Sequence, residues 1–526
     1  HFVAPFCHSR IILFFFFSIS KHPTFTQIGI VGTGAMGRGI AQLAAQAGSL
    51  VWLYDKQPAA AAQAIAAVEA QWVKQAQKGK KSAAEVAELT KRLQLADDIT
   101  QLKHCTLIVE AIVESLPVKR ELMAELINST HPDTILATNT SSLSVTAIAA
   151  GLARESNMVG FHFFNPVPLM KVVEVIPGLN TGPGVVEQLC QYAREMGHTP
   201  VVAQDTPGFI VNHAGRAYTT EALKIRSEQV ASFAEIDTIL KDQADFKLGP
   251  FELMDLTGLD VSHPVMESIY RQYYDEARYR PSVITAQRLT AGVLGRKTGR
   301  GFYTYTDQQI QRPPQLPVPS VEHMPPVWVS PKAARRPGIY KLLKDLGASI
   351  ETAATPSANA LILVAPLGLD VTTLAAVERL DPTRTLGIDM LLDDASTRRR
   401  VLATNPATRL DMKHAAWALF ARDGKPVSVI KDSGGFVTQR VLAHIVNIAA
   451  DMCQQGICSP ADLDTAVTLG LGYPMGPLAL GDHIGPGNVL EVLFNLQTVY
   501  GDTRYRPSPW LRRRGALGLS LHQTEA

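Results

Sequence analysis

Ten residues of this chain recur at one fixed spacing. Asp205, Gly208, Phe209, Asp237, Thr238, Gly249, Pro250, Leu253, Asp255 and Gly258 reappear, each 227 residues on, as Asp432, Gly435, Phe436, Asp464, Thr465, Gly476, Pro477, Leu480, Asp482 and Gly485. Chance does not hold a register across ten identities, so the chain contains a duplicated unit of helical pattern. "RYRP" at 278 returns at 504, one residue out of register. At 526 residues the chain is too long for one ordinary domain, and roughly two to four are expected.

Ahead of the first copy the text is regular. "QIGIVG" reads as a buried strand, "TGAMGRGIAQLAAQAG" as a turn and helix, and "LVWLYD" as a second strand. The turn contains Gly32-x-Gly34-x-x-Gly37. Gly32 permits the tight turn, Gly34 lets the backbone approach a pyrophosphate, and Gly37 allows close helix–strand packing. The phosphates would meet the free N–H groups of the helix start, so Gly32, Gly34, Ala35, Met36 and Gly37 are candidate cofactor contacts. Asp55, closing the second strand, is placed to bind a ribose and repel a 2′-phosphate, favouring NAD over NADP; Lys56 beside it argues mildly the other way.

One helical stretch is expected over roughly 58–94, then the strand "TLIVEAIVE". Glu110 and Glu114 fall at or past its end, where ligands bind in open α/β sheets; an exposed loop carboxylate is the alternative. "TILATNTSSLSV" is a strand running into Asn139-Thr140-Ser141-Ser142, a cap or a site element. "NMVGFHFF" and "MKVVEVI" read as two strands joined about Asn165-Pro166-Val167-Pro168, since proline disfavours a helix there. An antiparallel pairing about that loop sets His162 opposite Glu174 on one face. Burying either alone is costly, so the pair is catalytic, with the carboxylate orienting the imidazole, or a structural buried pair.

The stretches "GTGAMGRGIA", "VEAIVE", "TNTSSLSV", "HFFNPVPLMKVVEV", "DTPGFIVN" and "LGRKTGRGFY", in fixed order over residues 27–305, resemble the NAD-dependent L-3-hydroxyacyl-CoA dehydrogenases. That resemblance implies His162 as the base taking the 3-hydroxyl proton, with Glu174 paired to it. It implies Ser141 and Asn212 at the substrate oxygens and thioester, and Asn165 lining the nicotinamide pocket. Glu114, Lys119 and Lys297 match positions that contact NAD. For CoA, Lys78 is the nearest basic match alongside Ser141, while the family's helix Ser has no counterpart here. The two-copy layout resembles the long bacterial 3-hydroxybutyryl-CoA or 3-hydroxyadipyl-CoA type, including those of phenylacetate degradation. Helical domains dimerise in shorter relatives, so the second copy can supply an internal pseudo-dimer, with further homo-oligomerisation open.

The expected class is α/β: a Rossmann-type domain (26–205), an all-α domain (206–305), a Pro-rich linker (306–325), a degenerate Rossmann-like segment (326–431) and a second all-α copy (432–526). The degenerate segment has no glycine loop and no His–Glu pair. Asn405-Pro406 matches Asn165-Pro166, and Gln439 stands at the position of Asn212, so no NAD binding or catalysis is expected there. Residues 1–25, with the apolar "IILFFFFSIS", are too short to span a bilayer and lack a cleavage site; they read as a fragment or translated upstream sequence.

A formal net charge of +2 excludes a strongly basic nucleic-acid binder, and the arginine runs at 398–400 and 512–514 read as solvated surface. Five cysteines form no CxxC pair and no metal-like spacing, which fits a reducing compartment; a cytoplasmic protein with no metal and no membrane partner is expected. Two other readings are weighed. A dehydrogenase of free 3-hydroxy acids would use a helical lysine base, against His162 and Glu174 here. A non-enzymatic, crystallin-like NAD binder would not need Ser141, His162, Glu174 and Asn212 intact.

Overall fold

The structure is a computed structural model describing residues 23–57 and 59–525, so most of the leader falls outside the described residues. Strands form where Val, Ile and Leu run together. β1 (Gln27–Val31), β2 (Leu50–Tyr54), β3 (Leu93–Leu95), β4 (Leu107–Glu110), β5 (Ile135–Thr138), β6 (Met158–Phe163), β7 (Val172–Pro177) and β8 (Thr199–Val202) build an eight-stranded sheet, ordered β3-β2-β1-β4-β5-β6-β7-β8. Strands β1 to β6 are parallel, β7 is antiparallel to β6, and β8 is parallel to β7. Parallel strands must be covered on both faces, and β4, β5 and β6 are buried at every residue. The chain winds from β1 to β2 on one side and reaches β4 on the other. That reversal opens a crevice at the carboxyl ends of the strands.

The single helix expected over 58–94 is instead two, Ala60–Gln77 and Ala83–Lys91, followed by β3. Gly79 leaves the first at φ +69°. Ser82 starts the second: its hydroxyl accepts from Glu85 N–H, and the Glu85 carboxylate accepts from Ser82 N–H. A reciprocal cap of this kind defines a new helix start.

The repeated residues prove to be backbone anchors. Asp205 accepts from the N–H groups of Val145 and Thr146, and Asp432 from those of Val371 and Thr372. Each aspartate thereby ties a helical repeat to the α/β part before it. Phe209 and Phe436 share left-handed φ values of 48° and 51°, a strained choice that a side chain keeps only when its surroundings demand it. Asp237 holds the N–H groups of Phe251 and Glu252, as Asp464 holds those of Leu478 and Ala479. Gly249 and Gly476 make room for them, since an added Cβ would come within 2.2 and 2.3 Å of the two aspartates.

The stretch read as an irregular linker opens with a hairpin, β9 (Thr304–Thr306) and β10 (Gln309–Gln311). Its turn residues Asp307 and Gln308 both have positive φ, 49° and 63°, the two-residue turn whose twist matches paired strands. A second sheet follows from β11 (Val327–Val329), β12 (Ile350–Glu351), β13 (Leu361–Val364), β14 (Thr385–Ile388), β15 (Arg400–Ala403) and β16 (Val427–Ile430), ordered β12-β11-β13-β14-β15-β16. Here β15 is antiparallel to β14 and β16 parallel to β15, repeating the pattern of β6, β7 and β8. The second sheet is the same winding with two strands fewer.

The helical repeats pack face to face. The Thr438–Gln454 helix, buried along nearly its whole length, lies against the Arg216–Ser227 helix. One apolar cluster joins Tyr218, Leu223 and Ile239 to Leu442, Ile445 and Leu463. No helix among the described residues is long and apolar enough to cross a membrane.

Candidate active site

The turn after β1 has the shape that its glycines predict. Gly32 sits at φ +89°, and a Cβ there would come within 2.6 Å of Ala111 O; one on Gly37 would come within 1.9 Å of Gly32 O. Gly34 has nothing within 4 Å of its would-be Cβ, so its open side is free for a group that must approach the backbone. The helix Ala35–Ala47 begins there without a side-chain cap, leaving its first N–H groups for an anion. A cleft of about 810 Å³ runs from this turn past Asp55, Lys56 and Gln57 to Ala111 and Ile112. These features fit a dinucleotide.

Asp55 does two jobs. Its Oδ2 accepts from Thr33 N–H at 2.8 Å and from the Thr33 hydroxyl at 2.9 Å, and its Oδ1 accepts from Gln57 N–H at 3.0 Å. Burial pushes this carboxyl up, but the donors from Gln57 and Thr33 outweigh it and hold the group below its ordinary range. Asp55→Ala removes the acceptor of three hydrogen bonds and so loosens the glycine turn beside the cleft. We expect the KM for NAD to rise about tenfold to hundredfold, the scale of one lost charge-assisted hydrogen bond, and the NAD preference to narrow. Steady-state kinetics with both dinucleotides checks this; unchanged KM values would assign the choice to Lys56.

At Ala111 and Ile112 the cleft meets a second cavity of about 450 Å³, lined by Met36, Glu114, Asn139, Ser141, His162, Phe164, Asn165, Asn212, Val261 and Val265 among others. The β6–β7 register pairs His162 directly with Glu174, as the sequence predicts. His162 Nδ1 lies 2.6 Å from Glu174 Oε2. The other carboxylate oxygen, Oε1, accepts from the N–H groups of Ile210 and Val211, both at 2.9 Å. Glu174 is fully buried and all its charge is engaged, and His162 is left with Nε2 for the cavity.

The Ser141 loop is built around Glu114. Its Oε1 accepts from the hydroxyl of Thr140 at 2.7 Å and from the N–H groups of Ser141 and Ser142 at 2.9 and 3.0 Å. Burial raises the Glu114 carboxyl, and Thr140, Lys119, Ser141 and Ser142 together bring it below its ordinary value. Asn212 Nδ2 reaches Ser141 O at 3.5 Å, and Asn139 Oδ1 accepts from Phe163 N–H at 2.8 Å. Ser141, Asn212 and His162 thus share one wall of the cavity.

Three expected contacts are not brought to either cleft. Lys119 is 1% exposed, with Nζ 2.6 Å from Glu110 Oε1 and 3.4 Å from Glu114 Oε2; it braces Glu114 from below. Lys297 is bound to Asp260 at 2.5 Å and lines neither cavity. Lys78 ends the Ala60–Gln77 helix and also lines neither. Glu110, weighed as an exposed loop carboxylate, is fully buried between Lys119, the Thr138 hydroxyl and Ile112 N–H. Val261 and Val265 escaped sequence reasoning: their helix, Leu259–Gln272, follows the repeat motif without a polar signal of its own.

In the second half the corresponding place is closed. Asp389 donates its N–H to Val401 O, beside the β14–β15 pair Ile388–Leu402, so Asp389 takes the position of His162 and Val401 that of Glu174. Asn405-Pro406 follows β15, the counterpart of β7, which corrects its match with Asn165-Pro166 at the end of β6. Gln439 donates to Asp389 Oδ1 and to Pro366 O, and accepts from Gly368 N–H. A Cβ on Gly368 would lie 2.4 Å from Val492 O, so a loop and a helix fill the space that is open in the first half.

The model of the 3-hydroxyacyl-CoA dehydrogenase NAD binding domain matches residues 27–206, and that of the 3-hydroxyacyl-CoA dehydrogenase C-terminal domain matches twice, at 208–305 and 435–524. A 3-hydroxyadipyl-CoA dehydrogenase of Escherichia coli K12 is 37% identical over 493 residues, 93% of this chain and 97% of that protein. A probable 3-hydroxybutyryl-CoA dehydrogenase of Bacillus subtilis is 39% identical over 282 residues, 54% of this chain and 98% of its own. The crystal structure of a 3-hydroxybutyryl-CoA dehydrogenase from E. coli K12 superposes with a TM-score of 0.83 at 35% identity, covering 94% of this chain and 98% of that one.

Proposed function

This chain belongs to the 3-hydroxyacyl-CoA dehydrogenase family, whose members oxidise a 3-hydroxyacyl-CoA with NAD, and we propose that 3-hydroxybutyryl-CoA or 3-hydroxyadipyl-CoA is its substrate and His162 its base. The observation that carries this reading is the 2.6 Å His162–Glu174 contact in a cavity that shares Ala111 and Ile112 with the glycine-turn cleft. The Gly32–Gly37 turn and Asp55 would hold NAD, which would supply the hydride acceptor. His162 takes the 3-hydroxyl proton on Nε2, because Nδ1 is committed to Glu174. An imidazole can accept that proton near neutral pH, and Glu174 offsets the positive charge that then forms. Positioned acid–base help of this kind is worth about 10²- to 10⁴-fold in rate. Ser141 and Asn212 hold the reacting oxygen and the thioester, while Phe164, Val261 and Val265 give the cavity an apolar lining.

The packed helical repeats support an internal pseudo-dimer, and the cysteine spacing supports a cytoplasmic location. The substrate is tested by steady-state kinetics on CoA esters of 3-hydroxybutyrate, 3-hydroxyadipate and a long-chain 3-hydroxy acid, with free 3-hydroxybutyrate beside them. The two short esters are expected to exceed the long one in kcat/KM by about tenfold or more. Turnover of the free acid as fast as its CoA ester would overturn the assignment.

A further inference from the structure

The second helical repeat lines neither cleft, yet one of its helices stands directly behind the catalytic pair. The Pro460–Leu471 helix packs against β7, β8 and the short Val211–Ala214 helix. Those are the elements that carry Glu174 and the N–H group of Val211 that binds it. Just before this helix, Ile457 O accepts from Gln204 N–H at 2.8 Å, joining the second repeat to the end of β8.

A close approach is at Gly470. A Cβ added there would lie 2.9 and 3.1 Å from the two Cγ atoms of Val211 and 3.4 Å from Val172 Cγ1. Glycine inside a helix is unfavourable relative to alanine, so its presence answers a packing need, and Val211 supplies that need. The next residue, Leu471, sits 3.3 Å from where a Cβ of Gly215 would be, one turn on at the end of the same short helix. Val172, Val211 and Glu174 are all buried, and the second repeat is part of what buries them.

The exchange is reciprocal. The matching helix of the first repeat, Phe233–Ala244, reaches the residues just before β15: Asp242 O accepts from Arg398 N–H at 2.8 Å, and the Asp242 carboxylate binds Arg399 at 2.9 Å. Each repeat touches the α/β part of the other half, but only one of those parts carries a reactive pair.

We propose that the second helical repeat completes the active site of the first half, its Pro460–Leu471 helix fixing the Ile210–Val211 turn on the Glu174 carboxylate, with Gly470 as a positioning residue for the dehydrogenation. This rests on the reading of His162 and Glu174 as the base pair. A shift of the turn moves two of the three hydrogen bonds to Glu174, and with them the imidazole that it orients. A misplacement of about 1 Å caused by a substitution remote from the chemistry can cost about 10²-fold in rate.

The test uses the full chain. Gly470→Ala is expected to lower kcat with 3-hydroxybutyryl-CoA at least about tenfold while the KM for NAD stays within about twofold, because the dinucleotide cleft lies at β1, β2 and β4. Adding Val211→Ala, which removes the two clashing methyl groups, should return the double variant to the kcat of Val211→Ala alone. Leu471→Ala, which opens the wall instead of crowding it, should show the same loss confined to kcat, and it carries the test if Gly470→Ala does not fold. A Gly470→Ala enzyme with wild-type kcat, or a loss that Val211→Ala does not relieve, overturns the proposal; so does a wild-type kcat in Leu471→Ala where Gly470→Ala does not fold. His162→Gln measured in parallel separates the causes. If it is inactive while Gly470→Ala is normal, the positioning role alone fails; if it is active, the base assignment has failed first.

Discussion

His162→Gln is expected to fold, to bind NAD with unchanged affinity, and to turn over 3-hydroxybutyryl-CoA about 10²- to 10⁴-fold more slowly. Glutamine has nearly the reach of the imidazole and can still donate to Glu174 Oε2, so the buried carboxylate is not left alone. What it lacks is a nitrogen able to take a proton at neutral pH. The loss should therefore appear in kcat and kcat/KM equally, the sign of a group that acts in the transition state. A drop confined to KM would make His162 a binding residue, and near wild-type turnover would remove it from the reaction.

The second large effect lies far from the chemistry. Arg440, fully buried on the second repeat, reaches across to the first: Nε donates to Glu221 Oε1 at 2.9 Å and Nη1 to Glu228 Oε2 at 2.6 Å, with the hydroxyls of Tyr500 and Tyr505 at 2.9 and 3.0 Å. Burial alone would push the Glu221 carboxyl up, but Arg440 and Arg504 outweigh it and hold the group well below its ordinary value. Arg440→Met leaves Glu221 charged and buried with Arg504 as its remaining cation, at 3.1 Å. Breaking a buried pair in this way costs about 3–5 kcal/mol, and the surviving Arg504 argues for the lower end. The repeats should separate at lower urea than in the parent chain. The sign with pH follows from the lowered value. Glu221 contributes stability above the ordinary glutamate pKa of about 4.3, and that contribution fades as pH falls through the depressed value. The gap between Arg440→Met and the parent should therefore narrow in acid. Adding Glu221→Gln should deepen the loss rather than recover it, since buried Arg504 would then lose its carboxylate partner as well. A urea midpoint unchanged by Arg440→Met would show that the cluster contributes nothing to holding the repeats together.

Legibility followed sequence distance. The glycine turn could be read because three glycines, a strand and an acidic strand end fall within about thirty residues. The His162–Glu174 register could be read because a short proline loop joins two antiparallel strands, so residues equally distant from its middle lie opposite one another. The duplication could be read because Asp205, Asp237, Asp255 and their copies bind backbone N–H groups, a job that few other residues do in that space. The break at Gly79–Ser82 was written as a Ser-x-x-Glu cap and passed over in an Ala-rich run. The β9–β10 hairpin was missed because Asp307-Gln308 lacks the glycine that usually marks such a turn. Lys119 and Lys297 could not be placed from spacing: a lysine on a helix gives no sign that Glu110 lies beneath it or that Asp260 stands beside it. Gly470 and Val211 are separated by most of the second half, and no local pattern joins them. The degenerate half misled in one detail, since Asn405-Pro406 repeats a dipeptide on the wrong strand of the pair.

The central claim is that two copies of the fold make one working site, in the first half. Calorimetric titration of the full chain with NADH counts that site directly. The account predicts one NADH bound per chain, and none in Gly34→Val, whose side chain would occupy the open side of the turn. Two NADH per chain, or one that persists in Gly34→Val, would contradict it.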